Sequence, residues 1–264
     1  MPELPEVQTF VAGLQPAVGR RIVSVDVLDG KLDLAGNHLL GSRILSISRR
    51  GKYIVLSLDP AGDLVIHLRM TGRVRLQCAT DERKYARLIV GLDSGRSIFF
   101  VNPRRLGTAV FHRDGFATSL GVDPLDPEFT EERLAEILAG SRRPIKQLLM
   151  DQRRIAGLGN IYAAECLWRA GIDPRRPASS LSSDEVPSLQ RAVVGVLSEA
   201  IDHLGTSIGQ SISDYRPTPN EMGGFGNQLA VYGRDAAACK RCGHSIVRIR
   251  QAGRSTYLCS ACQR

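Results

Sequence analysis

The chain has no apolar run long enough to span a bilayer, and its first residues lack the apolar stretch of a secretion signal. Both absences argue against a helical membrane protein and predict a cytoplasmic one, whose thiols stay reduced unless a metal holds them. No segment repeats itself, which excludes solenoids and propellers. Acid is in short supply: 27 Asp and Glu stand against 35 Lys and Arg, a formal charge of +8. Soluble basic proteins are common, so charge alone decides nothing, but it favours a polyanionic partner, most simply nucleic acid. The surplus is concentrated. Residues 234–264 hold seven Lys or Arg and a single acid, Asp235.

At 264 residues with 43% hydrophobic content, the chain can build one large domain or two modest ones. "LPEVQTFVAGLQP" spaces Val7, Phe10, Val11 and Leu14 for a helix, with Pro5 in its first turn and Pro16 ending it. From residue 22 to about 112 the pattern shortens to alternating, β-branched runs: "IVSVDV", "RILSIS", "KYIVLSLD", "LVIHLRM", "ARLIVGL" and "SIFFV". Turn signals such as "DPAGD" and "DSGR" separate them, which predicts an antiparallel sandwich or barrel. Beyond "LGVDPLDPEFT" helices take over: "TEERLAEILAG", "PIKQLLMDQ" with Pro at its first turn, and "NIYAAECLWRAG". The long "SSDEVPSLQRAVVGVLSEAIDHLG" opens on a capping-box spacing, Ser182 to Glu185. Residues 206–235 read as loop. The expected division is 1–124, 125–235 and 236–264.

Four cysteines near the end form two Cys-x2-Cys pairs, Cys239 with Cys242 and Cys259 with Cys262, 16 residues apart. Disulfides and an iron–sulfur cluster are alternatives, but the spacing and a reducing compartment favour zinc. Four thiolates complete a tetrahedral shell and leave no open position for water, so the ion is structural. "SIVRIR", "QAG" and "RSTYL" between the pairs read as a hairpin whose tip presents Arg254. Cys78 and Cys166 have no such partners and read as ordinary thiols. His244 is superfluous to a complete shell.

One oddity remains at the start. "MPELPEV" places Pro2 directly after the initiator Met and two glutamates within seven residues. Removing Met1 would leave Pro2 a free secondary amine, a strong nucleophile toward carbonyl-like carbons. The other motifs give that amine a use. "MPELPEV", "RRGKY" (49–53), "HLRMTG" (67–72), "NPRRLG" (102–107), "GLGNIYAAE" (157–165) and the ribbon with "GRSTYLC" occur in this order along essentially the whole chain. Together they resemble the formamidopyrimidine-DNA glycosylase / endonuclease VIII family of base-excision repair enzymes. "MPELPEV" and "VYGR" resemble the formamidopyrimidine branch more closely.

The resemblance implies an α+β, multi-domain fold. It comprises an N-terminal antiparallel β-sandwich and a C-terminal helical helix-two-turn-helix domain with a four-Cys zinc ribbon, with DNA running in a positively charged cleft between them. It implies a monomer that acts on double-stranded DNA containing oxidised bases, chiefly purines, or abasic sites. Pro2 would form a Schiff base, and β,δ-elimination would follow. Glu3 would be general acid/base, Lys52 would act in β-elimination and Arg254 in δ-elimination. Asn160 and His67 would contact phosphate, the glycines 157 and 159 allowing close backbone approach. Met70, Arg104 and position 106 would fill the void left by a flipped nucleotide. Tyr85, Arg142, Arg143 and Lys146 would also touch DNA. The bland alternatives are a helix N-cap for Asn160, a packed strand histidine for His67 and a solvated hairpin charge for Lys52. Three residues depart from the family pattern: Leu106 where Phe is usual, Arg69 where Gly is usual, and Tyr85 where His is usual. Base preference rests on the loop around 211–226, whose Gly223, Gly224 and Gly226 predict mobility. An endonuclease VIII-like enzyme preferring oxidised pyrimidines or abasic sites, and an idle paralogue that only binds damaged duplex, are the rivals.

Overall fold

The computed structural model describes residues 2–32, 34, 38–60, 62–117, 119–207, 215–218 and 221–264. It divides into two compact units, Met1–Thr118 with His203–Gly224, and Ser119–Asp202 with Phe225–Arg264. Among the described residues, no helix is long and apolar enough to cross a membrane.

The first unit begins with α1 (Leu4–Leu14). Glu3 is its N-cap, and a reciprocal capping box joins Glu3 to Glu6. Val7, Phe10, Val11 and Leu14 are buried, as the periodicity predicts. Eight strands follow: β1 (Ile22–Val27), β2 (Arg43–Arg50), β3 (Tyr53–Asp59), β4 (Gly62–His67), β5 (Arg73–Arg75), β6 (Ala86–Leu92), β7 (Ser97–Val101) and β8 (Thr108–His112). They form two four-stranded sheets, β1-β6-β7-β5 and β2-β3-β4-β8, with every pair antiparallel. The α1 stripe packs with apolar residues of both sheets in one core, as a sandwich requires. Six strands are those that alternation predicts. The other two escape it. β5 buries Arg73 and Arg75, both bonded to the buried Glu82, and nothing in hydrophobic patterning marks such a strand.

The second unit carries α2 (Glu131–Leu138), α3 (Ile145–Leu149), α4 (Asn160–Ala170) and α5 (Glu185–Asp202). Thr130 caps α2, its hydroxyl accepting from Arg133 N–H at 3.1 Å. Pro144 is the cap residue of α3 and not part of its first turn. Gly171 closes α4 in the left-handed conformation, φ 76°. At α5 the expected capping box is shared with an ion pair. Glu185 accepts Ser182 N–H at 2.8 Å but also binds Arg176, and that guanidinium holds its carboxyl down at about 2. The chain ends in a hairpin, β9 (Val247–Gln251) and β10 (Arg254–Leu258).

Candidate active site

In the first unit, Pro2 and Glu3 are buried, Glu3 to 1% exposure. Glu6, also 1% exposed, holds them there. One carboxylate oxygen accepts Glu3 N–H at 2.7 Å and the other accepts Thr206 N–H at 2.8 Å. Composition does not reveal this role for Glu6, but the Glu-x-x-Glu spacing at a helix start does. Lys52 occupies the Gly51–Lys52 turn between β2 and β3, and it is 8% exposed, not a solvated hairpin charge. His67 ends β4 with its ring edge-on to Tyr53 at 4.7 Å. Burial, then the charges of Arg69 and Lys52, push its imidazolium down to about 4, so the ring is neutral at physiological pH. Its Nδ1 accepts Arg69 N–H at 3.0 Å, which leaves the proton on Nε2.

Two loops of this unit carry the expected wedge. The Leu68–Gly72 turn closes through Gly72 N–H to Leu68 C=O at 3.0 Å, and a Cβ on Gly72 would meet that oxygen at 2.5 Å. The loop after β7 runs beside it, since a Cβ on Gly107 would lie 2.9 Å from His67 C=O. Met70 and Leu106 are 42% and 46% exposed on these neighbouring loops, large apolar side chains held in solvent. Arg104 is exposed between them in sequence, whereas Arg105 turns to the buried Asp29 at 2.8 Å. Arg69 has φ +54°, a conformation that suits glycine. Tyr85 is half-buried under Lys84, whose ammonium lies 5.2 Å from the ring centre. Of the 211–226 loop, residues 211–214, 219 and 220 lie outside the described residues. Gly223 and Gly224 are fixed: Gly223 N–H donates to Ser207 Oγ at 2.7 Å and Gly224 N–H to His203 C=O at 2.8 Å.

In the second unit, α3 and α4 are joined by two turns through 150–159. Gly159, not Asn160, is the N-cap of α4. The Asn160 side chain instead accepts Lys146 Nζ at 2.7 Å and donates to Ser255 C=O at 3.0 Å. Lys146 lies inside at 2% exposure, also donating to Thr256 Oγ1 at 2.7 Å and Ser255 C=O at 3.3 Å. That uses all three ammonium hydrogens, so Lys146 clamps Asn160 to β10 rather than standing on the surface. Arg254, Asn160 and Lys146 share one cavity of about 390 Å³. Arg143 and Arg142 are exposed, Arg143 paired with Asp151 at 2.8 Å.

The ribbon thiols fit a metal. All four Sγ atoms lie within 4.8 Å of one another, with Cys242–Cys259 at 3.5 Å and Cys239–Cys262 at 4.0 Å. Tetrahedral zinc–thiolate bonds place sulfurs about 3.8 Å apart. These cysteines hold one structural zinc ion. Trp168 Nε1–H and Arg241 N–H both donate to Cys239 Sγ at 3.4 Å, and the Arg241 guanidinium covers the Trp168 ring at 4.6 Å. Glu165, in "GLGNIYAAE", is the other missed residue. Buried, it accepts the N–H groups of Ala230, Val231 and Tyr232 at 2.8–3.0 Å and fixes "AVY" to α4.

A sandwich that buries an N-terminal Pro-Glu pair, together with a helical unit ending in a four-thiolate ribbon, defines a class of DNA-repair proteins. Residues 1–109 match the model of the formamidopyrimidine-DNA glycosylase N-terminal domain, 120–211 that of the formamidopyrimidine-DNA glycosylase H2TH domain, and 238–264 the zinc finger found in FPG and IleRS. The formamidopyrimidine-DNA glycosylase of Roseiflexus sp. (strain RS-1) is 42% identical over 277 residues, covering 100% of both chains. The crystal structure of MutM (Fpg) from Thermus thermophilus superposes with a TM-score of 0.90 at 39% identity, covering 99% of this chain and 98% of that one. The Lactococcus lactis Fpg mutant G226P, solved with DNA containing Fapy-dG, gives 0.88 at 32% identity with complete coverage of both. The chain belongs to the formamidopyrimidine-DNA glycosylase family.

Proposed function

We propose that this protein removes oxidised purines from double-stranded DNA and then cleaves the strand at the resulting abasic site. The observation that carries the reading is the buried Pro2–Glu3 pair, pinned by the Glu6 carboxylate at the head of α1. With Met1 removed, the Pro2 nitrogen attacks C1′ of the damaged nucleotide. The glycosidic bond breaks and the base leaves with its electron pair and the amine's proton; the C1′–O4′ bond then opens, its electron pair going to the protonated ring oxygen, and an iminium links protein to sugar. Glu3 protonates the ring oxygen as C1′ is attacked. Loss of the C2′ proton expels the 3′ phosphate, with Lys52 binding phosphate and serving this β-elimination. Arg254 binds the lesion phosphate and serves the δ-elimination that expels the 5′ phosphate.

Asn160 has a second amide hydrogen for a phosphate, and neutral His67 has its Nε2–H. Met70 and Leu106 enter the duplex, and Arg104 bonds the orphaned base. Tyr85, Arg142 and Arg143 add contacts to the backbone, and Lys146 acts through Asn160. We assign the covalent chemistry to 1–124, the DNA-holding helices to 125–235 and the phosphate-directed ribbon to 236–264. The charge of +8 and the bacterial source of the relatives support a place on chromosomal DNA in the cytoplasm. Borohydride treatment on an abasic duplex should trap a covalent adduct through residue 2. Trapping and strand scission that persist at full rate in Pro2→Gly, or in protein retaining Met1, would sink the assignment.

A further inference from the structure

The β9–β10 hairpin has two faces, and the reading above uses one. Residues opposite each other in a ladder share a face. Arg254 pairs with Gln251, and Thr256 with Ile249; Arg254, Thr256 and Gln251 line the cavity that holds Asn160. Arg250 pairs with Ser255 and Arg248 with Tyr257, which puts both arginines on the other face. There they line a separate groove of about 450 Å³ with Ser255 and Asp235. Both are exposed, and neither forms an ion pair among the described residues. Arg248 Nε donates to Ser255 Oγ at 3.0 Å, which orients its guanidinium. Asp235 is the one acid in the groove, so its cations are in excess.

We propose that this face binds the phosphate backbone of a second, undamaged duplex while the Arg254 face serves the lesion. The inference rests on the DNA-enzyme reading. Guanidinium groups suit phosphate oxygens because they present paired donors in a fixed plane. The two sets of cations lie on opposite faces of one hairpin, so each can engage a phosphate backbone of its own. The faces differ in their cover: beside the exposed Arg254, Thr256 is 0% exposed beneath Lys146, whereas Arg248 and Arg250 are both open to solvent. A protein holding two duplexes can pass from one to the other without becoming free, which shortens a search through excess undamaged DNA.

The test uses the full-length zinc-loaded protein, a donor-labelled duplex with an abasic analogue and an acceptor-labelled undamaged duplex. Energy transfer should appear in the ternary complex and be lost in Arg248→Ala/Arg250→Ala. Single-turnover excision on the lesion duplex should stay within about twofold. Losing two phosphate contacts should lower the log–log salt slope of second-duplex binding by about 2. Zinc content and circular dichroism confirm the variant's fold, and Arg248→Lys/Arg250→Lys should restore part of the transfer signal. No energy transfer in the unmodified protein, or transfer that survives in the double Ala variant, overturns the proposal. So does a tenfold fall in excision, which would assign the arginines to the lesion duplex. Binding of labelled poly-glutamate but not of undamaged duplex would assign the face to an acidic protein and overturn it equally. Borohydride trapping reports on Pro2 alone, so it separates this failure from failure of the enzymatic reading.

Discussion

The two units hold the groups proposed for the chemistry by different means. In the first, Pro2, Glu3 and Lys52 are buried at the edge of an apolar core that α1 shares with both sheets. In the second, Arg254 is exposed on a two-stranded hairpin whose own apolar cluster is small: Ala164, Val231, Ile246 and two of the cysteines. A nucleophile and a proton donor need a dry, fixed setting, where local fields decide their protonation. A phosphate-binding arginine keeps its charge anywhere and needs reach with a stiff base. The ribbon obtains that stiffness from a metal and from the Lys146 clamp. The contrast can be broken at each of those supports.

Zinc removal gives the largest effect. Ribbon folding is coupled to the metal by roughly 10–16 kcal/mol, whereas the sandwich has its own core. Chelation should abolish DNA cleavage, at least a hundredfold, while calorimetry retains a transition for the first unit. Trp168, the chain's single tryptophan, touches Cys239 and should report the loss as a fluorescence change. Full DNA affinity after chelation, or no zinc by elemental analysis, would remove the distinction between the two supports.

The Lys146 clamp comes next. Lys146→Met leaves Asn160 Oδ1 and Thr256 Oγ1 without their buried donor, at about 1–3 kcal/mol per group. Strand scission should fall by about tenfold to a hundredfold with zinc still bound. In a double-mutant cycle, Asn160→Ala should add little on top, because both changes break the same link. Additive losses would mean that Lys146 acts on DNA by itself.

Where the sequence was readable follows the same contrast. Strands β1–β4, β6 and β7, the helix at Pro5 and the cysteine spacing all declare themselves through period or pattern, because each makes its neighbours apolar or fixes a count. The resemblance supplied the site as a set of short motifs. Roles carried by buried polar side chains did not show. Lys146 looks like one more surface cation until three acceptors are seen around it. Arg73 and Arg75 look like loop residues until Glu82 is seen between them, and Glu165 looks like a solvent-facing helix acid until three N–H groups point at it. Lys146 and Glu165 depend on partners far along the chain, and Arg73 and Arg75 on an acid across an irregular loop, so neither helical nor strand periodicity encodes them.

His67 tests the dry setting of the first unit by pH. The unfolded chain takes up this proton near 6.5, and the folded chain resists until about 4. Between those values the unfolded state binds more protons, so stability rises with pH across the window and is lost as pH falls. Melting temperature should therefore drop between pH 6.5 and 4, and His67→Asn should flatten that slope. An unchanged slope in the variant would place the acid sensitivity elsewhere.

The smallest effect should come from the two loops proposed as the wedge, where two of the three departures from the family pattern, Arg69 and Leu106, lie. Arg69 sits at φ +54°, held by its own N–H to His67. A left-handed non-glycine residue costs about 1–2 kcal/mol, and glycine's greater freedom when unfolded takes back part of that. Arg69→Gly should therefore raise stability by about 1 kcal/mol or less, or about 2–4 °C in Tm. Leu106 fills space but stacks poorly; a Phe there adds about 0.5–1.5 kcal/mol of stacking, up to about tenfold in rate. That gain matters only where a stacked, paired base must be extruded. The double change Arg69→Gly with Leu106→Phe should thus raise 8-oxoguanine excision opposite cytosine and leave abasic cleavage roughly constant, since an abasic site has no base to extrude. If both activities move by the same factor, the wedge does not set specificity, and the determinant belongs to the 211–226 segment instead.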